Sequence, residues 1–320
     1  MSSENHPPVV LISEHLSEVP KRWLAERCRV IECRYDNPEF LSHLESCDAL
    51  IVRTYTMVNE EFLDRAANLK VIGRAGVALE NIDLPACRAR GIPVVHTPDA
   101  NTQAVVEFVV CLLADALRPR ITLDRAVEME EWAALRQTIF AERQMCEHTL
   151  GILGFGRIGS RVAAVAGAIG MQVMYHDLLE IPEDLRAGAS PVSAEELFRG
   201  SDIITIHIDS RPANRHFVNG SRLNLMKDGV LFLNTSRGFV VDHGALADFL
   251  RSHPAARAML DVHDPEPFPA DSPLIPLANA SLSPHLAART NTAMENMSWV
   301  VRDIHRVLEG ESPKYPAPTV

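Results

Sequence analysis

The chain has 320 residues, a length that fits two domains better than one. Hydrophobic residues make up 47% of it and charged residues 23%, the balance of a soluble globular protein. The formal net charge of −11 disfavours binding to nucleic acid or to anionic lipid, and no basic run offsets that charge.

The cysteine spacing and the apolar segments narrow the class of protein further. The six cysteines form no C-x-x-C pair and no His/Cys group with zinc spacing, so we predict reduced thiols and no metal site. The stretch Met1–Pro8 is polar, and no segment has the apolar length of a membrane span. We therefore expect a cytoplasmic protein without a signal peptide or a membrane helix.

In the first part of the chain, short apolar runs rich in β-branched residues alternate with amphipathic stretches. The runs predict strands at Val9–Ile12, Arg29–Glu32, Ala49–Arg53, Val71–Arg74 and Pro93–His96. The stretches between them predict helices, for example at Pro20–Cys28, Glu39–Glu45 and Glu60–Ala67. This alternation is typical of a parallel sheet covered by helices on both faces.

A long helix is predicted from Asn101 to Leu117, and its apolar content on nearly every side suggests burial between domains or subunits. A second alternating series follows, with strands predicted at Thr149–Leu153, Gln172–His176, Asp202–Ile208, Val230–Asn234, Ala258–Val262 and Ser281–Ser283. The segment Thr292–Leu308 is predicted to be helical. The fold class is therefore α/β, with two doubly wound parallel-sheet domains.

The motif with the clearest mechanism is G-x-G-x-x-G between an apolar strand and a helix. Gly154 permits a tight turn, Gly156 lets the backbone approach a pyrophosphate, and Gly159 lets helix and strand pack closely. The N-terminus of the following helix offers free N–H groups to the phosphates. The pattern predicts dinucleotide binding, although glycine turns can also serve packing only.

Asp177 ends the next predicted strand, about 20 residues further along, where an acid can bind the ribose 2′-hydroxyl. A carboxylate at this place repels a 2′-phosphate, which favours NAD over NADP. The alternative is that Asp177 is only a helix cap or a turn residue.

Polar residues also follow three later strands of the second series, at the sheet edge where ligands bind. Arg237 can hold a carboxylate and a keto oxygen with its planar guanidinium. His285 can take a hydroxyl proton or return it, and Glu266 can accept from the other ring nitrogen and raise the pKa of His285. Each residue alone has a duller explanation, as a surface, packing or loop residue. Their joint placement predicts the oxidation of a 2-hydroxy acid or the reduction of a 2-keto acid.

These motifs together resemble the D-isomer-specific 2-hydroxyacid dehydrogenase family, and within it the phosphoglycerate dehydrogenase-like branch. The similarity runs from about Ala49 to the C-terminus. It is carried by Val71–Asp83, Gly91–Glu107, Thr149–Asp177, Gly229–Asp242, Asp261–Pro267 and Pro284–His285.

The resemblance implies a Rossmann NAD domain inserted into a flavodoxin-like substrate or lid domain. The implied boundaries are residues 1–98 for the first lid segment, 99–287 for the NAD domain and 288–320 for the returning C-terminal helix. It also implies a homodimer formed through the helix at Asn101–Leu117, and no extra regulatory domains of the kind that longer phosphoglycerate dehydrogenases carry.

The resemblance also implies roles for individual residues. The catalytic residues are Arg237, Glu266 and His285. The cofactor contacts are Val77, Gly154, Gly156, Arg157, Ile158, Gly159, Asp177, Ile208, Thr235, Ser236, Arg237, Asp261, His285, Ala287 and Ala288. The substrate contacts are Arg53, Arg74, Ala75, Gly76, Val77 and Arg237.

Several positions depart from the family pattern without removing a catalytic group. They are Ala78, Glu80, His148, Asp209 and the run Ala287–Arg289. Arg289 is an additional cation four residues after His285. With Arg53 and Arg74 it predicts a dianionic substrate such as 3-phosphoglycerate or another phosphate- or sulfonate-bearing acid, unless these arginines only cap strands, pair with Glu80 or face solvent.

Two other functions remain open from the sequence. The first is a non-enzymatic NAD(H)-sensing protein similar to the corepressor members of the same family, which can keep all three catalytic residues. The second is another Rossmann enzyme such as a methyltransferase, which does not need Arg237, Glu266 and His285 together.

Overall fold

The computed structural model describes residues 7–318, and these form two compact units. One unit contains the described residues up to Asn101 and those from Ala288 onward, and the other contains Thr102–Ala287. No helix in the described part of the chain is both long enough and apolar enough to cross a membrane.

The first unit is built on a five-stranded parallel sheet. Its strands, numbered along the chain, are β1 (Val9–Ile12), β2 (Arg29–Glu32), β3 (Ala49–Val52), β4 (Val71–Arg74) and β5 (Val94–His96). They lie in the order β2-β1-β3-β4-β5, which is the flavodoxin-like order. All four residues of β3 are buried, because apolar groups from helices cover both faces of the central strands.

Six helices belong to this unit: α1 (Glu18–Ala25), α2 (Phe40–Leu44), α3 (Glu60–Asp64), α4 (Leu84–Ala89), α11 (Asn291–Ser298) and α12 (Val301–Leu308). Asn59 and Asp83 begin α3 and α4 by accepting hydrogen bonds from first-turn N–H groups, as side chains at helix starts commonly do. The single helix predicted over Thr292–Leu308 is wrong in one respect, because the helix is interrupted at Trp299. The interruption lets both α11 and α12 pack against α1.

The second unit contains a seven-stranded parallel sheet. Its strands are β6 (Thr149–Leu153), β7 (Gln172–His176), β8 (Ser190–Pro191), β9 (Ile203–Ile206), β10 (Leu231–Asn234), β11 (Arg257–Leu260) and β12 (Ala280–Leu282). Their order is β12-β11-β10-β9-β6-β7-β8. This is the Rossmann order with one added edge strand, and its switch point lies between β6 and β9. The prediction of two doubly wound parallel sheets is confirmed.

The helices of the second unit are α5 (Thr102–Leu117), α6 (Met129–Thr138), α7 (Arg157–Ile169), α8 (Ala194–Gly200), α9 (Gly220–Leu223) and α10 (His243–Ser252). One face of the sheet packs around Phe198 and Phe232, both fully buried, and the other face packs against α5 and α7. The carboxyl ends of β6, β9, β10 and β11 therefore meet at one edge of a rigid sheet, where a parallel sheet places its ligand site.

Candidate active site

The three motif glycines have three different surroundings. Gly154 has a φ of +94°, and a Cβ there would lie 2.7 Å from the carbonyl carbon of His207. A Cβ on Gly159 would collide with the Gly154 carbonyl oxygen, so this glycine serves helix packing. Gly156 caps α7 without a side chain and has open space beside it. The open space and the bare helix N-terminus, where Arg157 and Ile158 begin α7, fit a pyrophosphate.

Asp177 follows β7 and contacts the glycine loop directly. Its Oδ2 accepts a hydrogen bond from the Phe155 N–H at 2.6 Å, and its Oδ1 accepts from the Leu179 N–H at 2.9 Å. The turn function considered for Asp177 is therefore present. Each carboxylate oxygen has a second lone pair, so both oxygens can still accept from a ribose hydroxyl.

The turn after β10 has a fixed backbone and one unused polar atom. The buried Asn234 accepts from the Ser236 N–H at 3.0 Å and donates from Nδ2 to the Arg237 carbonyl oxygen at 3.0 Å. The Thr235 hydroxyl is buried without a hydrogen-bond partner in the described structure. Because an orphaned buried hydroxyl costs free energy, its presence at the same sheet edge as the glycine loop fits a bound dinucleotide.

Arg237 is half-buried and lies in this turn, with Nη1 donating to the Ser236 carbonyl oxygen at 2.7 Å. The next residue, Gly238, packs so closely on His263 that a Cβ would collide with the His263 backbone. The turn after β10 and the segment after β11 are therefore in direct contact.

Glu266 and His285 meet as the sequence predicts. Nδ1 of His285 lies 2.8 Å from Oε2 of Glu266, while Oε1 of Glu266 accepts from the His263 N–H at 2.9 Å. Burial raises the pKa of Glu266, but the hydrogen bonds from His285 and from the His263 backbone outweigh it, and the net pKa is below the usual value. The charged carboxylate receives the Nδ1 hydrogen, so Nε2 of a neutral His285 is left free to accept a proton.

The backbone at His285 lies in the left-handed region, with a φ of +56°, and Asp261 holds it there. The His285 N–H donates to the Asp261 carbonyl oxygen at 2.8 Å. The fully buried carboxylate accepts from the Leu286 N–H at 2.7 Å and from the Ala287 N–H at 2.8 Å. Asp261 therefore fixes the turn that carries His285, a role that the sequence did not suggest.

In the first unit, Glu14 organises the loop after β3. Its carboxylate accepts hydrogen bonds from the backbone N–H groups of residues 53–56, all at 3.0 Å. Burial raises the pKa of Glu14, but these donors outweigh it and the net pKa is lowered. Sequence reasoning missed Glu14, although its position just after β1 satisfies the same strand-end rule that selected the other site residues.

Arg53 and Arg289 converge on Met294. Nη2 of Arg53 lies 3.2 Å from the Met294 sulfur, Nη1 of Arg289 lies 3.9 Å from it, and Nη1 of Arg53 donates to the His15 carbonyl oxygen at 3.1 Å. Burial lowers the pKa of Arg53, Glu14 partly offsets this, and the like charge of Arg289 lowers it further. Two cations thus share one place, where their repulsion favours a bound anion.

The loop after β4 contains the remaining predicted substrate contacts. Arg74 is paired with Val52 in the sheet register, so it starts next to Arg53, but its guanidinium folds back over Gly76 and donates to the Ala75 carbonyl oxygen at 3.4 Å. The Val77 carbonyl oxygen lies 2.9 Å from Nδ1 of His96. Arg74 therefore contacts its own loop, whereas Arg53 and Arg289 both contact Met294.

One departure from the family pattern has a local explanation. Asp209, which follows Ile208 after β9, accepts hydrogen bonds from Arg211 and from Nδ2 of Asn214 at 2.9 Å. These contacts lower the pKa of Asp209, with the Arg211 bond as the largest cause.

Comparisons with a family model, with known sequences and with solved structures agree with one another. The sequence model described as "D-isomer specific 2-hydroxyacid dehydrogenase, NAD binding domain" matches residues 110–287. The chain is similar to the (S)-sulfolactate dehydrogenase of Chromohalobacter salexigens, with 36% identity over 92% of this chain and 96% of that protein. Among solved structures, the TT0316 protein from Thermus thermophilus has a TM-score of 0.83 and 34% identity, covering 97% of this chain and 100% of that one.

The D-3-phosphoglycerate dehydrogenase of Archaeoglobus fulgidus is 32% identical over 94% of this chain. The present chain spans only 57% of the length of that relative. Similarity to sulfolactate dehydrogenase, in contrast, extends over nearly the whole of both chains.

Proposed function

The chain belongs to the D-isomer specific 2-hydroxyacid dehydrogenase family, and from this premise we propose that it interconverts a 2-hydroxy acid and its 2-keto acid with NAD. The observation that carries the proposal is the 2.8 Å contact between His285 and Glu266. That contact lies on the same sheet edge as a glycine loop suited to a dinucleotide.

In the proposed mechanism His285 moves the proton. Glu266 accepts the Nδ1 hydrogen and so leaves Nε2 free, which can remove the hydroxyl proton during oxidation and return it during reduction. Held by the glycine loop and by Asp177, the nicotinamide cofactor would supply the hydride chemistry, as the acceptor NAD+ in oxidation and as the donor NADH in reduction. Because Glu266 stays charged, it also stabilises the imidazolium that forms on His285.

Arg237 binds the substrate in this proposal. Its guanidinium offers several N–H donors in one plane, which suit a carboxylate and the neighbouring keto oxygen. Asn234 and Ser236 fix the turn that presents it. The proposed cofactor residues are those whose surroundings suit a dinucleotide. They are Gly154, Gly156 and Gly159 in the loop, Asp177 for the ribose, and Thr235, whose hydroxyl can form a hydrogen bond to the dinucleotide.

The substrate is proposed to carry a second anionic group, bound by Arg53 and Arg289. The guanidinium of Arg53 donates to a carbonyl oxygen and a thioether, and the nearby Glu14 carboxylate is already held by backbone N–H groups, which supports binding of a ligand anion by Arg53. Guanidinium groups bind phosphate through paired charge-assisted hydrogen bonds, and a sulfonate offers three oxygens to the same donors. In the priority rules that assign R and S, the CH2SO3 group of sulfolactate ranks above the carboxylate. The S form of sulfolactate therefore has the same spatial arrangement as the R form of lactate.

A homodimer in the cytoplasm completes the proposal. Helix α6 has no buried residue, and it and its flanks expose Met129 (78%), Trp132 (47%) and Phe140 (65%) to solvent. Side chains of this kind are typical of a surface that a second copy covers. All six cysteines are free thiols, which fits a reducing compartment.

The test is NADH oxidation with phosphohydroxypyruvate, sulfopyruvate, hydroxypyruvate, glyoxylate and pyruvate. We expect turnover, with higher kcat/KM for the first two acids. Arg53→Ala and Arg289→Ala should each lower kcat/KM for those two by about 10- to 150-fold, the worth of one charge-assisted hydrogen bond. Arg65→Ala removes an exposed arginine of the same unit and should have no effect. Absence of turnover with every acid would reject the proposed dehydrogenase activity. Equal turnover with all five acids would reject the proposal that the substrate carries a second anionic group.

A further inference from the structure

We infer that His263 is a positioning residue for the Glu266–His285 pair, an inference that rests on the proposed dehydrogenase activity. His263 lies between Asp261 and Glu266 in the segment after β11, and only 7% of its surface is exposed. Neither the predicted site residues nor the mechanism above gives its side chain a function.

His263 contacts both segments that carry the pair. Its backbone N–H donates to Oε1 of Glu266 at 2.9 Å, and its ring Nε2 lies 2.8 Å from the carbonyl oxygen of Ser283. A carbonyl oxygen can only accept, so Nε2 must carry the hydrogen. One residue therefore connects the loop of Glu266 with the start of the turn that presents His285.

The turn needs this support because its backbone is unfavourable. A φ of +56° is uncommon for a residue other than glycine, and such a conformation persists only where its surroundings enforce it. Asp261 holds the later part of the turn through the N–H groups of Leu286 and Ala287. The Ser283 carbonyl group, two residues before His285, is held by the His263 ring.

Packing is the competing explanation for a buried imidazole at this place. The His263 ring lies edge-on to Phe268 with 4.5 Å between ring centroids, and 6.3 Å from the His243 ring. A phenylalanine at position 263 would keep these ring contacts and lose only the N–H donor. His263→Phe therefore separates positioning from packing, and His263→Gln supplies an amide donor without the ring.

The kinetic experiment compares both variants with the native protein, using NADH and the best acid from the panel above. We expect His263→Phe to lower kcat by about 2- to 12-fold, the effect of one lost neutral hydrogen bond, with KM for NADH unchanged within about two-fold. His263→Gln should recover most of that kcat. The control His253→Phe removes another imidazole–carbonyl contact, 2.9 Å from Nδ1 to the Phe249 oxygen, and should keep native kcat.

A second measurement does not depend on activity. A long-range 1H–15N spectrum of the cofactor-free protein should show His263 as the Nε2–H tautomer, with its signal assigned by its loss in His263→Phe. Native kcat in a folded His263→Phe, or an equal loss of kcat in both variants, would overturn the inference. An Nδ1–H tautomer would also overturn it. Absence of turnover in the native protein would reject the proposed function instead, and the spectrum would still decide the hydrogen bond to Ser283.

Discussion

Nδ1 of His285 lies 2.8 Å from Oε2 of Glu266, and the backbone of His285 has a φ of +56°. The hydrogen bond and the unusual backbone act together. The turn aims the ring, and the carboxylate decides which nitrogen carries the hydrogen. The consequence is a histidine with one committed nitrogen and one free nitrogen, which is the arrangement a proton-transferring residue needs.

Removing the imidazole should stop proton transfer while sparing the cofactor. We expect His285→Ala to lower kcat by about 10²–10⁴, the usual contribution of a positioned acid or base. The dissociation constant for NADH, measured by fluorescence, should change by less than about two-fold. His253→Ala is the matched control in the same unit, at the C-terminal end of α10. Near-native turnover in His285→Ala would remove this residue from the mechanism.

Replacing the carboxylate should displace the pH profile rather than abolish turnover. Glu266→Gln keeps an acceptor near Nδ1 but removes the negative charge that stabilises the imidazolium formed during proton transfer. We expect the profile for 2-hydroxy acid oxidation and that for 2-keto acid reduction both to move to lower pH. If neither the oxidation profile nor the reduction profile moves along the pH axis, the proposed charge pairing of Glu266 with His285 is contradicted.

Cofactor preference should depend on the charge of Asp177. Asp177→Ala combined with Leu178→Arg removes the carboxylate and offers a cation to a 2′-phosphate, so the NADH/NADPH ratio of kcat/KM should fall by about 10²-fold. Because Asp177 also accepts from the Phe155 N–H, some loss of kcat/KM with NADH is expected as well. Leu178→Arg alone, on an exposed residue, is the control. Equal use of NADPH and NADH by the native protein would contradict this function of Asp177.

The sequence predicted the two sheets, the glycine loop and the Glu266–His285 contact, because each depends on local pattern and on the rule that strand ends share one edge. It missed β8, since a two-residue strand containing Pro191 has no apolar period. It also missed the second function of Asp261, and it missed the hydrogen bonds of Glu14 although the strand-end rule could have selected that position. Each accepts hydrogen bonds from backbone N–H groups, and those groups leave no trace in side-chain identity.

The break at Trp299 was missed for a related reason. No glycine or proline marks it, although Ser298, Trp299 and the two valines that follow have only average or weak helix propensity. The interruption depends on tertiary packing, where the Trp299 ring lies edge-on to Trp23 with centroids 6.2 Å apart. Contacts between distant residues of this kind override local propensity.

The last prediction concerns stability at low pH and the neutral imidazole of His207. Its Nε2 lies 3.0 Å from the Thr205 hydroxyl, its Nδ1 is shielded from solvent, and burial lowers the pKa of His207 to about 3. An unfolded chain binds a proton on this histidine near its ordinary pKa of 6.5, whereas the folded chain does not until the pH approaches 3. Folding is therefore undisturbed above pH 6.5 and is destabilised increasingly as the pH falls below it, by up to about 1.4 kcal/mol per pH unit.

His207→Gln keeps a polar partner for Thr205 and removes the titration. Its melting temperature should fall less steeply than that of the native protein between pH 6.5 and pH 4, while the two proteins behave alike between pH 7 and pH 8. Calorimetric scans at matched ionic strength would measure both slopes, with His253→Gln as a control for a histidine at the end of α10. Parallel curves for native protein and His207→Gln across the acid range would show that His207 does not carry this part of the acid sensitivity.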